Sequence, residues 1–227
     1  MWCVAELDAE YIARMEDVLA LYERPYSARE PVLCLDEKPI SLHAEVRPPR
    51  PARPGHLAKR DSEYRRCGTA NVFAVVEPKA GRHFTCATPD RSAVQFACIV
   101  RRTLAAYPRA RTVHLVMDNL NIHCEKSLTD AFGEREGRRL WRRLTVHFTP
   151  KHGSWLNQAE IELSRVSRGC LGRRRIDTLS GLRTEVHAWT ARADRARTKI
   201  SVAFHPHRCA PQVWLQNEAL YSVTDLV

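Results

Sequence analysis

The apolar positions fall into short runs and helical stripes in a definite order. Tyr11, Ile12, Met15, Leu19 and Tyr22 recur at helical spacing in LDAEYIARMEDVLALYERP, and Pro25 ends the stripe, which predicts a helix. Val32 to Leu35 form a short apolar run that stops at Asp36, the pattern of a buried strand with a carboxylate at its end. Two further runs, NVFAVVEP and RHFTCATP, are separated by Lys79, Ala80 and Gly81. A glycine-containing gap of that length predicts a hairpin, and with the Asp36 strand an antiparallel meander.

SAVQFACIVRRTLAAYP then repeats apolar residues at Val94, Phe96, Ala97, Ile99, Val100 and Leu104 until Pro108, which predicts a helix lying on the sheet. TVHLVMDN is another short run that ends in an aspartate. Two arginine-rich helical stretches follow, then the strand LTVHFTP and a helix beginning near Asn157. The order β-β-β-α-β-α-β-α places consecutive strands first and crossovers afterwards. It predicts an α/β fold: a mixed five-stranded sheet with helices on both faces, in the order of an RNase H-like fold.

Between the first two strands, RPPRPARPGHLAK (47–59) is rich in proline and basic residues. It is expected neither to pair as a sheet nor to wind as a helix, and reads as an extended basic arm. A ligand for a proline-binding domain and a solvated loop are the other readings of the same composition. The expected plan is a lead-in helix over 1–30, the RNase H-like domain over 31–204 carrying this arm, and a tail over 205–227.

Composition narrows the partners. At 227 residues, 44% hydrophobic and 27% charged, the chain suits one globular domain. Thirty-six Lys and Arg against 26 Asp and Glu leave a net charge of +10, supplied mostly by arginine. That surplus suits a polyanion, because guanidinium groups match phosphate geometry, although a GC-rich coding sequence would leave the same mark. Eight cysteines without a C-x-x-C pair read as free thiols. No run approaches the roughly 20 apolar residues of a membrane span, so no membrane partner and a cytoplasmic location are expected.

Three carboxylates stand out. Asp36 ends the first strand, Asp118 ends the fourth, and Glu160 lies in the first turn of the helix after the fifth. In an RNase H-like sheet the first and fourth strands are neighbours, so two carboxylates 82 positions apart converge. Crowded carboxylates repel unless a cation neutralises them, and hard oxygen donors select Mg2+ or Mn2+. Two such ions activate an oxygen nucleophile and stabilise the leaving oxygen of a phosphodiester. Taken singly, each residue has a plainer reading: Asp36 and Asp118 as turn-formers, and Glu160 as the third position of a capping box begun by Asn157. Glu162 is an alternative third carboxylate, but two residues along a helix are about 200° apart, so both cannot face one site.

Together, LCLDEKP, LVMDNLNIH and HGSWLNQAEIELS resemble the catalytic segments of bacterial insertion-sequence transposases allied to the mariner superfamily, of the insertion sequence 630 type. The arm RPPRPARPG, the YRRCGTANVF segment and TPKHGSWLN are similar to that family too, and the resemblance runs from about Trp2 to about Phe204. It implies a DDE triad of Asp36, Asp118 and Glu160, each both catalytic and metal-binding, with two Mg2+ or Mn2+ ions. It also implies metal-dependent cleavage at transposon ends and strand transfer into target DNA, by a homodimer assembled on DNA. In the WLN segment Trp155 and Leu156 are expected to anchor the helix entry, with Asn157 as its cap. Arg47, Arg50, Arg53, Lys59, Arg65, Arg66, Lys151, His152, Arg173, Arg174 and Arg175 are the candidate DNA contacts. Family members carry a helix-turn-helix region before the catalytic domain, so a separate segment from an upstream frame is an expected partner, and the tail after Phe204 reads as frameshifted. A catalytically inactive DNA-binding or dimerising remnant is the alternative.

Overall fold

The structure, a computed structural model, describes residues 8–200; Trp2, Phe204 and the tail over 205–227 lie outside the described residues. Five strands, β1 (Val32–Glu45), β2 (Tyr64–Glu77), β3 (Arg82–Thr88), β4 (Val113–Met117) and β5 (Leu144–Phe148), form one sheet in the order β3-β2-β1-β4-β5. The first three pair antiparallel, while β4 joins β1 and β5 joins β4 in parallel. The mixed sheet and meander expected from the hydrophobic pattern are therefore present.

Strand alternation divides the core between two faces. Leu33, Leu35, Phe73, Val75, Leu115 and Met117 point to one side, where α2 (Ala93–Ala105), α3 (Glu125–Phe132) and α4 (Glu134–Trp141) cover them. Cys34, Val76 and Val116 point to the other, beneath α1 (Ala9–Glu23) and the start of α5 (Ala159–Arg165). Farther along that face, Leu42, Ala70, Val72 and Ala74 meet α5, the π-helical turn Val166–Leu171 that continues it, and α6 (Leu179–Ala196). The lead-in helix α1 is part of this core: Asp8 caps it by accepting the Tyr11 amide at 2.7 Å, and Val18, Leu21 and Tyr22 are buried.

Two expectations need correction. β1 does not end at Asp36 but runs on to Glu45, paired throughout with β2. The apolar run stops there because the farther half of the strand is covered on one face only: Ile40 and Leu42 point to that cover, Pro39 and Ser41 point to the open face, and the exposed Lys38 donates to Ser167 Oγ at 3.0 Å. The arm also pairs with itself. Arg50 and Lys59 exchange both backbone bonds (2.8 and 3.0 Å), as do Arg53 and His56 (3.0 and 2.8 Å). Its prolines occupy positions that donate nothing, and Pro54 with Gly55, at φ +74°, closes the tip as in a type II turn.

Candidate active site

The register of β1 against β4 places two of the carboxylates. Val32 pairs with His114 and Cys34 with Val116, an offset of 82 positions that also separates Asp36 from Asp118. Both aspartates therefore lie two steps beyond the last pair, on the same face and level with each other, on strands about 4.8 Å apart. It is β4 that ends, at Met117, and its ending opens the sheet edge beside Asp36.

Glu160 arrives from a constrained turn. His152 adopts φ 63°, in the left-handed region, and a Cβ on Gly153 would fall 2.5 Å from the Pro150 ring, so the HG pair suits this bend. A 3-10 turn, Ser154–Leu156, follows. Leu156 is buried and its carbonyl accepts the Tyr22 hydroxyl at 2.8 Å, whereas Trp155 is 38% exposed; of the two expected anchors, Leu156 is the one in the core. Asn157 is the fastener: its Nδ2 donates to the Leu35 carbonyl at 2.7 Å and its Oδ1 accepts the Ala159 amide at 3.1 Å. The start of α5 is thus tied to β1 one residue before Asp36. The capping-box reading of Glu160 fails, because the Asn157 amide it would need already donates to the Ser154 carbonyl at 2.7 Å. Glu160 itself is exposed.

Glu162 has a different environment. Its side chain is fully buried; Trp189 Nε1 donates to Oε1 at 3.1 Å, an Arg165 guanidinium N–H donates to Oε2 at 3.1 Å, and His83 Nδ1 lies 3.0 Å from Oε2. Burial raises its pKa, but His83 and its other partners outweigh that and hold the carboxyl below its usual range. It fastens α5 to β3 and α6 and faces away from Asp36.

Asp36 shows the strain of its company. Burial, and then the charges of Glu160, Glu37 and Asp118, push its carboxyl up to about 7 against the bond from the Glu37 amide. The three candidate ligands and Glu37 therefore share one electrostatic neighbourhood. As drawn, no group of three His, Cys, Asp or Glu side chains among the described residues is gathered closely enough to hold an ion. The donor set nonetheless fits a hard divalent cation: after burial, the charges of Glu160 and Asp118 disfavour ionisation of Asp36, and the three carboxylates offer hard oxygen donors at one sheet edge.

Glu37 and His123 are not among the site residues expected from the sequence, although His123 closes the LVMDNLNIH segment. His123 is buried between carboxylates, 2.7 Å from Asp118 Oδ1 and 3.5 Å from Glu37 Oε2. Burial works to lower its pKa, and Asp118 and Glu37 outweigh that, raising it to about 9. The signal for Glu37 was available in strand alternation: it continues the buried row of Leu33 and Leu35, where a carboxylate calls for a cationic partner.

The candidate DNA contacts separate by environment. Arg50, Arg53, Lys59, Arg65, Arg66, Lys151, His152 and Arg173 are exposed. Arg47 is exposed beside Asp61 at 3.5 Å, and Arg174 pairs with Glu185 at 2.9 Å. Arg175 is turned inward: it donates to the carbonyls of Asp61 (2.9 Å), Ser62 (3.1 Å) and Glu63 (2.7 Å) and pairs with Glu45. Its guanidinium holds the root of the arm.

A sheet of this order, with acidic side chains at the end of its central parallel pair, is the RNase H-like architecture. The chain belongs to the DDE superfamily endonuclease family, whose pattern matches residues 31–183. Among curated proteins none matches it in sequence. Solved structures of the Mos1 mariner transposase share the fold. The paired-end complex with the left transposon end has a TM-score of 0.55 at 16% identity, covering 87% of this chain and 62% of that one. The strand transfer complex has a TM-score of 0.54 at 18% identity, covering 87% and 59%. The paired end complex with Mn has a TM-score of 0.53 at 17% identity, covering 87% and 60%. The chain thus spans about three-fifths of the length of these relatives. No helix among the described residues is long and apolar enough to cross a membrane.

Proposed function

We propose that the chain is the catalytic domain of a bacterial insertion-sequence transposase, cleaving DNA at the element's ends and joining them to target DNA with divalent metal. The observation that carries this reading is the shared 82-position offset, which sets Asp36 level with Asp118 at the one edge to which Asn157 ties the helix of Glu160. Asp36 and Asp118 would hold Mg2+ or Mn2+, and Glu160 would complete the set by turning inward. Bound there, the metals would supply charge neutralisation and an activated oxygen nucleophile for attack on a phosphodiester. The chain's own part is to orient the carboxylates and hold the strand. The exposed arginines of the arm, with Lys151, His152 and Arg173, reach phosphates, and the arm is long enough to engage DNA or a second subunit. Assembly as a homodimer on DNA completes this reading.

The test is nicking of supercoiled DNA with Mn2+, with and without terminal inverted repeats. Wild type is expected to nick, Asp36→Asn and Asp118→Asn to lose nicking while keeping their melting temperature, and DNA binding to survive in both, since cationic side chains supply it. Nicking by either variant at the wild-type rate would end the assignment. DNA binding by wild type with no nicking under any metal would favour the inactive remnant.

A further inference from the structure

Asp118 is gripped from behind. His123 Nδ1 lies 2.7 Å from Asp118 Oδ1 and 2.9 Å from the Asp118 carbonyl, and because both partners accept, that nitrogen carries the hydrogen. One ring thus fixes the side chain and the main chain of the same residue, while the Asp118 side chain remains 40% exposed. The ring has no freedom of its own. It is fully buried, Phe96 of α2 lies against it at 4.7 Å between ring centroids, and the His123 amide donates to the Leu120 carbonyl at 2.9 Å.

The other ring nitrogen, Nε2, faces Glu37 Oε2 at 3.5 Å, a charge contact too long for a good hydrogen bond, and neither atom has another partner. Glu37 follows Asp36 in β1, so alternation sends it through the sheet to the face covered by α2 while Asp36 stays on the face of α5. Two consecutive residues of one strand thereby serve the site from opposite sides. Asp36 faces it directly, and Glu37 reaches Asp118 through His123.

We propose that His123 and Glu37 form a positioning relay that sets the Asp118 carboxylate relative to Asp36, so that metal affinity depends on two residues that do not touch the ion. The proposal rests on the reading of Asp36 and Asp118 as ligands. Residues that orient metal-binding groups in this way typically govern affinity by about 10- to 100-fold. A histidine that merely filled space would affect folding alone.

The experiment measures Mn2+ binding to the full chain by calorimetry, without DNA, alongside thermal melting. His123→Ala is expected to weaken Mn2+ about tenfold or more. His123→Asn, whose amide N–H can stand where Nδ1–H stands, is expected to recover most of that loss, and Glu37→Gln to fall between them. Because His123→Ala empties a buried site and could unfold the domain, the comparison of His123→Asn with Glu37→Gln also decides: wild-type affinity in Glu37→Gln overturns the relay. So does wild-type affinity in a folded His123→Ala, or a His123→Asn as weak as His123→Ala. Asp118→Asn is the separate arm. If it binds Mn2+ as tightly as wild type, Asp118 is not a ligand, and the reading beneath the relay fails along with it.

Discussion

Glu160 and Glu162 stand two residues apart on α5, and replacing each with alanine should separate stability from chemistry. Glu162→Ala removes a fully buried carboxylate and strands three donors, of which the Trp189 indole and the His83 ring cannot swing into water. Breaking a buried ion pair from one side costs about 3–5 kcal/mol. Arg165, whose side chain is 28% exposed, can turn to solvent and puts the value toward the lower half of that range. Taking about 3.5 kcal/mol, and about 3 °C per kcal/mol for a chain of this size, the melting temperature should fall by about 10 °C. Glu162→Gln should cost less, about 1–2 kcal/mol, because its oxygen still accepts from Trp189 and a neutral His83 can accept from its amide. Glu160→Ala should leave the melting temperature within about 2 °C of wild type, since an exposed side chain without a bond gives up little. Circular dichroism melts, paired with Mn2+ nicking at 25 °C corrected for folded fraction, check both halves. The expected pattern is nicking lost with stability kept at Glu160, and stability lost with nicking kept at Glu162. A Glu162→Ala that melts within about 2 °C of wild type would refute the argument, whatever its activity.

Three further outcomes follow from the same contacts. Asn157→Ala removes the bonds to Leu35 and Ala159, which at about 1 kcal/mol each lowers stability by about 2 kcal/mol in urea titration, and should slow nicking because Glu160 loses its tie to β1. Deleting 48–54 should weaken DNA binding in a gel-shift assay with a melting change of at most about 2 °C, because the arm buries no core; unfolding would show the arm to be structural. The Glu162 carboxyl is held below its usual 4.5, so its contribution is fully present above that pH and is lost as pH falls through the lower folded value. The stability gap between wild type and Glu162→Gln should therefore narrow below pH 4.5, and a constant gap would count against the ion pair.

Much of the frame was legible because its signals are local. The periodicity of 93–105, the Lys79 to Gly81 gap and the apolar runs before Asp36 and Asp118 each follow from nearest-neighbour chemistry, and the strand order follows from their succession. The length of β1 was not legible, because Lys38, Pro39 and Ser41, all exposed, break the apolar pattern of a strand. The pairing in the arm was hidden by proline, whose placement between donating residues matters more than its number. The burial of Glu162 had no mark in the sequence, because a buried glutamate differs from an exposed one only in its partners. Those are His83 and Trp189, 79 positions before it and 27 after. Asn157 was read as a cap, and its longer bond across 122 positions to Leu35 had no local mark.

The route by which the carboxylates meet bears on how the protein is made. Asp36, Asp118 and Glu160 are joined through a parallel strand pair and one side-chain staple, all between residues distant along the chain. Contacts of such sequence separation form late, since loop-closure entropy must be overcome before they contribute. A chain emerging from the ribosome can build the β1–β2–β3 meander early, but β1 acquires its inner neighbour only after β4 and its third carboxylate only after β5. A nascent or prematurely terminated chain lacking the Asn157 turn therefore carries the exposed arginines of the arm without the three carboxylates brought together. On the proposed function, the topology itself holds back metal binding and cutting until the chain through Asn157 and Glu160 has been made.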